Sequence, residues 1–94
     1  MARPIHPGEI LADELAEIGA TAAELARQIN VRANRISQIV NGKRSITADT
    51  ALRLGHWFGT SPRFWINLQT THDLEVAEAA VGNKVSRLLR LPAA

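Results

Sequence analysis

The 94-residue sequence contains no cysteine and no tyrosine, and it has only two phenylalanines and two tryptophans. Without cysteine the chain can form no disulfide, thiolate metal site or cysteine nucleophile. No stretch approaches the roughly 18 consecutive apolar residues that a membrane-spanning helix needs. No apolar segment follows Arg3, so we also expect no secretory signal. These absences predict a cytoplasmic protein without a membrane anchor.

Patterns typical of enzymes are missing as well. The histidines at positions 6, 56 and 72 lack the spacing of metal ligands. His72 and Asp73 are neighbours, and we expect their side chains to point to different sides of a helix. No glycine-rich loop that could hold phosphate is present. We therefore expect no catalysis, metal or cofactor, and we interpret His56 and His72 as packing or surface residues.

Apolar residues recur at helical spacing, which predicts an all-α, five-helix bundle forming a single domain over residues 1–94. We expect helices at about residues 8–18, 22–29 and 33–41, between Thr47 and Gly59, and from Pro62 onward. Thr21 and Glu24 have the spacing of a capping box at the start of the second helix.

Two pairs of residues are expected to end helices. Asn41-Gly42 should end the third helix, because both residues tolerate the left-handed conformation. Gly82-Asn83 should break the fifth helix and leave a last helical turn or two after it.

The charges are unevenly distributed, although the net charge is only +2. Residues 9–24 contain five acidic residues and no basic one, whereas residues 27–44 contain five basic residues and no acidic one. A basic segment of this kind is suited to phosphate, with the acids facing elsewhere. A solvated surface without a partner is the alternative.

The second and third helices, over about residues 21–42, have the layout of a helix-turn-helix. If Ile36, Ile39 and Val40 turn inward, the opposite face carries Asn34, Ser37, Gln38 and Asn41, with Arg35 on its flank. Amides suit adenine edges and arginine suits guanine edges. Arg32, Lys43, Arg44 and the N–H groups near Thr21 and Ala22 would hold phosphate. The alternative is a polar helix that faces only water.

At these residues the chain resembles the phage-repressor-like (Cro/CI or XRE-type) helix-turn-helix family, over residues 21–59, TAAELARQINVRANRISQIVNGKRSITADTALRLGHWFG. Two flanking segments, PIHPG at 4–8 and SPRFWINLQTTHDL at 61–74, narrow the resemblance to the HigA/VapI group of antitoxins from bacterial toxin–antitoxin modules. The combination of NGKRSIT with FWINLQ makes the match specific. Arg32 departs from this group, which usually has a small capping residue there.

The resemblance implies a lambda-repressor-like DNA-binding domain with a C-terminal helical extension. Such a protein binds operator DNA as a dimer, represses its own operon, and neutralises a small basic toxin that is a RelE-like ribonuclease. The family reads bases from the start and middle of the third helix, here Ala33, Asn34, Arg35 and Gln38. The implied phosphate contacts are Thr21, Arg32, Ser37, Asn41, Lys43 and Arg44. A stand-alone XRE-type repressor without a toxin partner is the alternative.

Two further surfaces are predicted. One helix reads only about 4–5 base pairs, so two-fold pairing onto half-sites is expected. The C-terminal helix and tail, about residues 61–91, have surplus apolar surface; we place Trp65 and Leu68 in the core and assign the dimer interface to Val81, Val85, Leu88 and Leu89. The acidic first helix could steer a basic toxin through Glu9, Asp13, Glu14 and Glu17. A solvated amphipathic helix explains these acids equally well.

Overall fold

The computed structural model describes residues 3–92, and within that range it contains five α-helices and no strand. The helices are α1 (Pro7–Ile18), α2 (Ala22–Gln28), α3 (Ala33–Val40), α4 (Ala48–Phe58) and α5 (Pro62–Ser86). The predicted all-α fold is confirmed. The bounds of the first four helices differ from the predicted ones by no more than about one residue, because their caps lie in the local sequence.

Reciprocal hydrogen bonds start α1 and α2. The Glu24 N–H donates to the Thr21 hydroxyl at 3.1 Å, and the Thr21 N–H donates to the Glu24 carboxylate at 3.2 Å, which completes the predicted capping box. At α1 the Gly8 N–H donates to Nδ1 of His6 at 2.9 Å, and the His6 N–H donates to Glu9 at 3.2 Å. The role of His6 as a helix cap was not predicted.

The hydrophobic core lies where the five helices meet. Each helix contributes at least one side chain that is almost fully buried; these are Leu11, Leu25, Ile36, Ile39, Leu54 and Trp65. Trp65 is only 1% exposed, and Leu68 packs against the edge of the core, so the placement of both side chains is confirmed. Ile36 and Ile39 hold the inner face of α3 against the rest of the bundle.

The backbone of α1 approaches the end of α3 very closely. A Cβ atom on Gly8 would lie 1.8 Å from the carbonyl oxygen of Ile39, which is far inside van der Waals contact. Only glycine leaves room for this approach. The position of α3 is therefore set by backbone contact with α1 as well as by side-chain packing.

The turn between α2 and α3 is stabilised from α4. Asn30 in this turn has a φ of 60°, a left-handed conformation that Asn tolerates better than most residues. Nη1 of Arg53, on α4, donates to the carbonyl oxygen of Ile29 at 2.7 Å. This carbonyl lies at the end of α2, where backbone acceptors lack helical partners. Arg53 thus fixes the turn that precedes α3.

The predicted break in α5 is wrong. The helix continues through Gly82 and Asn83 to Ser86, so Val85 is helical, whereas Leu88 and Leu89 follow its end. A glycine inside a helix costs only about 1 kcal/mol relative to alanine, and the preceding residues are strong helix formers. The Glu78 carboxylate lies where a Cβ atom on Gly82 would be.

The predicted end of α3 at Asn41-Gly42 is confirmed, because the helix stops at Val40 and Gly42 adopts the left-handed conformation with a φ of 75°, while Asn41 has a φ of −85°. One smaller prediction needs correction. His72 and Asp73 do not point apart, because Nδ1 of His72 lies 3.3 Å from Oδ1 of Asp73. Successive side chains are separated by about 100° around a helix, which still allows them to lean towards each other.

Candidate nucleic-acid interface

α3 presents a polar face that carries no negative charge. Its inner residues Ile36 and Ile39 are completely buried, which turns the opposite side outward. Ala33, Asn34 and Ser37 are exposed there, and Gln38 is half-buried. The sequence has no acidic residue between Glu24 and Asp49. The face therefore offers amides, a hydroxyl and a methyl group, which are the groups that recognise base edges.

Exposed basic residues precede and follow α3 in the sequence. Arg32 directly precedes α3, and Lys43 and Arg44 follow it in a loop; all three are exposed. Asn41 is also exposed, and the Ser37 hydroxyl donates to the Asn34 carbonyl at 3.3 Å. Arg32 thus lies at one end of α3, and Asn41, Lys43 and Arg44 lie at the other. Thr21 is exposed too, although its hydroxyl already accepts a hydrogen bond within the α2 cap.

The basic loop after α3 is held by a residue that was not predicted to matter. Gln69 of α5 is 6% exposed, and its Oε1 accepts a hydrogen bond from the N–H of Ile46 at 2.7 Å. Its Nε2 donates to Oδ1 of Asp73 at 2.9 Å. Gln69 follows Trp65 by one helical turn, so a polar residue on a buried stripe was the available signal. The amide fixes one end of the loop that carries Lys43 and Arg44.

Arg35 differs from the other expected base readers because its guanidinium already has a partner. Nη1 of Arg35 lies 2.7 Å from Oδ2 of Asp49, in the first turn of α4. The same carboxylate oxygen accepts from Nε of Arg53 at 3.0 Å. The two arginines, Arg53 before Arg35, lower the pKa of Asp49. Neither Asp49 nor Arg53 was singled out from the sequence, although their i, i+4 spacing on α4 was an available signal. Their contact with Arg35 was not, since Arg35 lies on another helix.

The acidic face of α1 is only partly available to a partner. Asp13, Glu14 and Glu17 are exposed, as predicted. Glu9, in contrast, forms two hydrogen bonds of 2.7 Å with the guanidinium of Arg3. This pairing, helped by the His6 N–H, lowers the pKa of Glu9 to about 2. Glu9 is therefore already paired with a basic side chain, whereas Asp13, Glu14 and Glu17 are in no ion pair within residues 3–92.

The second half of α5 projects away from the core and is apolar on one side. Val81, Val85 and Leu88 are 42%, 55% and 66% exposed, and Leu89 is fully exposed. These side chains continue a row of residues spaced alternately by three and four positions, namely Phe64, Asn67, Thr71, Leu74, Glu78, Val81, Val85 and Leu88. This spacing places the residues from Phe64 to Val85 on one side of the helix, and Leu88 follows the helix end.

Within residues 3–92, no group of three or more His, Asp or Glu side chains is arranged to hold a metal ion. No helix in the same range is long and apolar enough to cross a membrane.

Comparison with known proteins gives consistent matches. A helix-turn-helix family model matches residues 11–65. Virulence-associated protein I of Dichelobacter nodosus is 51% identical over 75 residues, which are 79% of this chain and 69% of that protein. An addiction-module antidote protein of the HigA family from Coxiella burnetii is 48% identical, with a TM-score of 0.93 over 97% of this chain and 100% of that one. The Pseudomonas aeruginosa antitoxin HigA, solved with the higBA promoter, is 47% identical, with a TM-score of 0.91 over 96% and 100%.

Proposed function

Since the chain belongs to the helix-turn-helix family that includes the HigA antitoxins, we propose that it is an antitoxin that represses its own operon. It binds operator DNA as a dimer and neutralises a small basic ribonuclease toxin. The observation that carries the DNA-binding part is the acid-free polar face of α3 with exposed cations at both ends. The similarity to an antitoxin solved with promoter DNA supports the same assignment.

We assign base reading to the exposed face of α3. Asn34 and Gln38 lie one helical turn apart, so both amides face the same groove. Each can form two hydrogen bonds with adenine, whereas Ala33 can offer only a methyl group, which suits thymine. Arg35, the fourth expected reader, is bound to Asp49.

Phosphate contacts are assigned to the residues around that face: Thr21, Arg32, Ser37, Asn41, Lys43 and Arg44. Lys43 and Arg44 lie in the loop whose backbone Gln69 holds at Ile46. Contacts of this kind set affinity and register but carry no sequence information.

Dimerisation is assigned to α5. The alternating spacing along the helix is symmetric about position 76, so a second copy running antiparallel would place Asn67 opposite Val85 and Thr71 opposite Val81, with Leu88 following the helix end. Such a two-fold arrangement pairs the exposed valines and leucines of one protomer with the same face of the other. Leu89 lies beside this row.

The dimer is tested by sedimentation velocity of Val85→Asp against the control Val76→Asp. Both valines are similarly exposed, at 55% and 46%, but Val76 points to the other side of α5. Val85→Asp should sediment as a monomer, while Val76→Asp should remain dimeric. Equal behaviour of the two variants would remove this face from the interface.

DNA binding is tested by fluorescence anisotropy with the duplex immediately upstream of the gene and a scrambled duplex. We expect a preference of about 10³-fold or more for the upstream DNA. Asn34→Ala or Gln38→Ala should cost about 1–3 kcal/mol on that DNA only. Lys43→Ala should weaken binding to both duplexes and reduce the salt slope by about 0.9. Equal losses from all three substitutions on scrambled DNA would contradict the division into readers and phosphate contacts.

Toxin neutralisation is tested separately, because a stand-alone repressor would also bind DNA. The tagged chain, expressed together with the neighbouring gene, should co-purify with a small basic protein and suppress its cleavage of translated messenger RNA. The charge-reversal variant Glu14→Lys should weaken that complex if the acidic face of α1 steers the toxin. DNA binding without any such partner would favour the stand-alone repressor.

A further inference from the structure

We propose that Asp49 and Arg53 act as a clamp that holds Arg35 against α4 and so keeps a strong DNA-binding side chain out of the recognition surface. This inference rests on the proposed DNA-binding function. It assigns Arg35 to positioning α3 and leaves base reading to Ala33, Asn34 and Gln38.

The clamp is a continuous chain of short hydrogen bonds. Oδ2 of Asp49 accepts from Nη1 of Arg35 at 2.7 Å and from Nε of Arg53 at 3.0 Å. Nη1 of Arg53 then donates to the carbonyl oxygen of Ile29 at 2.7 Å. The buried Thr50 hydroxyl lies 3.5 Å from Nη1 of Arg35. The chain connects the turn before α3, the first half of α3 and the start of α4.

α3 has unusual need of such a connection. Its N-cap residue, Arg32, makes no side-chain hydrogen bond to the helix, and its first turn carries no acidic residue to offset the helix dipole. The usual local stabilisation at the start of a helix is therefore missing. The Arg35–Asp49 ion pair supplies an attachment at the same end of α3, close to the residues that read bases.

Electrostatics explain why position 35 has an arginine whose guanidinium is paired with Asp49. Asp49 brings one negative charge to two guanidinium groups, and the Arg35 side chain is only 33% exposed. An arginine without this partner would reach a phosphate or the edge of a guanine, either of which it binds well. A phosphate contact would add affinity for every DNA sequence and would reduce the advantage of the operator. The clamp thereby favours specific over non-specific binding.

The test uses Asp49→Asn, which keeps the shape of the side chain but removes its charge. The matched control is Asp13→Asn, which changes the net charge by the same amount on the exposed face of α1. Asp49→Asn should bind a scrambled duplex about 5-fold more tightly at near-physiological salt and steepen the salt slope by about 0.9, as one additional phosphate contact requires. Asp13→Asn should change neither quantity.

The double variant Asp49→Asn/Arg35→Ala identifies the side chain responsible. It should lose both the added affinity and the added slope. Asp49→Glu, which keeps the charge, should retain the wild-type slope, and thermal unfolding of each variant verifies that it is folded.

Two results would overturn the proposal. One is that Asp49→Asn has the same affinity for scrambled DNA as the Asp13→Asn control, while the wild type still prefers its operator. This result would leave the proposed DNA-binding function intact but would contradict the clamp. The other is Arg35→Ala losing 10-fold or more on the operator while Asp49→Asn, which breaks the same attachment of α3, loses nothing there. Arg35 would then read a base rather than position the helix. A wild-type protein with no operator preference would refute the proposed function and this inference together.

Discussion

The hydrogen bond between Gln69 and the N–H of Ile46 gives the sharpest test of how the basic loop is held. Gln69 and Ile46 are 6% and 3% exposed, so water cannot replace the amide when it is removed. Gln69→Leu keeps a side chain of similar volume but leaves the Ile46 N–H buried without a partner. Such an unsatisfied donor costs about 1–3 kcal/mol.

This cost translates into a measurable shift of the unfolding midpoint. For a domain of this size, 1 kcal/mol lowers Tm by roughly 4–8 °C, so a loss of about 2 kcal/mol should lower it by roughly 8–16 °C. Differential scanning calorimetry and urea unfolding at one pH measure Tm and the free energy of unfolding. Affinity for scrambled DNA should fall as well, because the loop with Lys43 and Arg44 loses an attachment to α5.

Asp73→Asn is the matched control for this prediction. Asp73 accepts the second hydrogen bond of Gln69 but is 59% exposed as a side chain, so water can take its place. Its replacement should change the free energy of unfolding by no more than about 0.5 kcal/mol. If Gln69→Leu unfolds within that same margin of the wild type, the Ile46 bond does not anchor the loop and the reasoning fails.

Three further perturbations test other contacts. Gly8→Ala should destabilise the fold by about 1–3 kcal/mol in urea unfolding because its Cβ meets the Ile39 carbonyl, whereas Gly82→Ala, which displaces only the flexible end of Glu78, should be neutral or stabilising; similar effects of the two would contradict the close approach. Burial first, then the neighbouring His72, lowers the pKa of His6 below 6.5. The unfolded chain therefore binds this proton more readily, so stability should be complete above about pH 6.5 and fall as the pH drops below it. His6→Asn, which retains an acceptor for the Gly8 N–H, should flatten this dependence of Tm on pH, and an unchanged slope would refute the assignment. Thr21→Ala should cost about 1 kcal/mol through loss of the α2 cap, measured by the same unfolding assay, and a variant as stable as the wild type would show that the cap contributes nothing.

Most of the fold could be predicted from neighbouring residues. The capping box at Thr21 and Glu24 and the end of α4 at Gly59 depend on groups at most four positions apart, and the structure has both. The break predicted at Gly82-Asn83 was wrong because a single glycine costs too little to interrupt a helix of good helix formers. The exposed face of α3 could be predicted from the burial of Ile36 and Ile39 on the other side.

The amino-acid sequence by itself determined the helices, their caps, the separation of acidic from basic segments and the polar face of α3. Only the tertiary structure decided that Arg35 binds Asp49, that Gln69 holds Ile46 and that Gly8 touches Ile39. The physical reason is distance along the chain. Periodicity and capping act over three or four residues, whereas these hydrogen-bonded partners are 14 and 23 residues apart and meet only once the helices have packed.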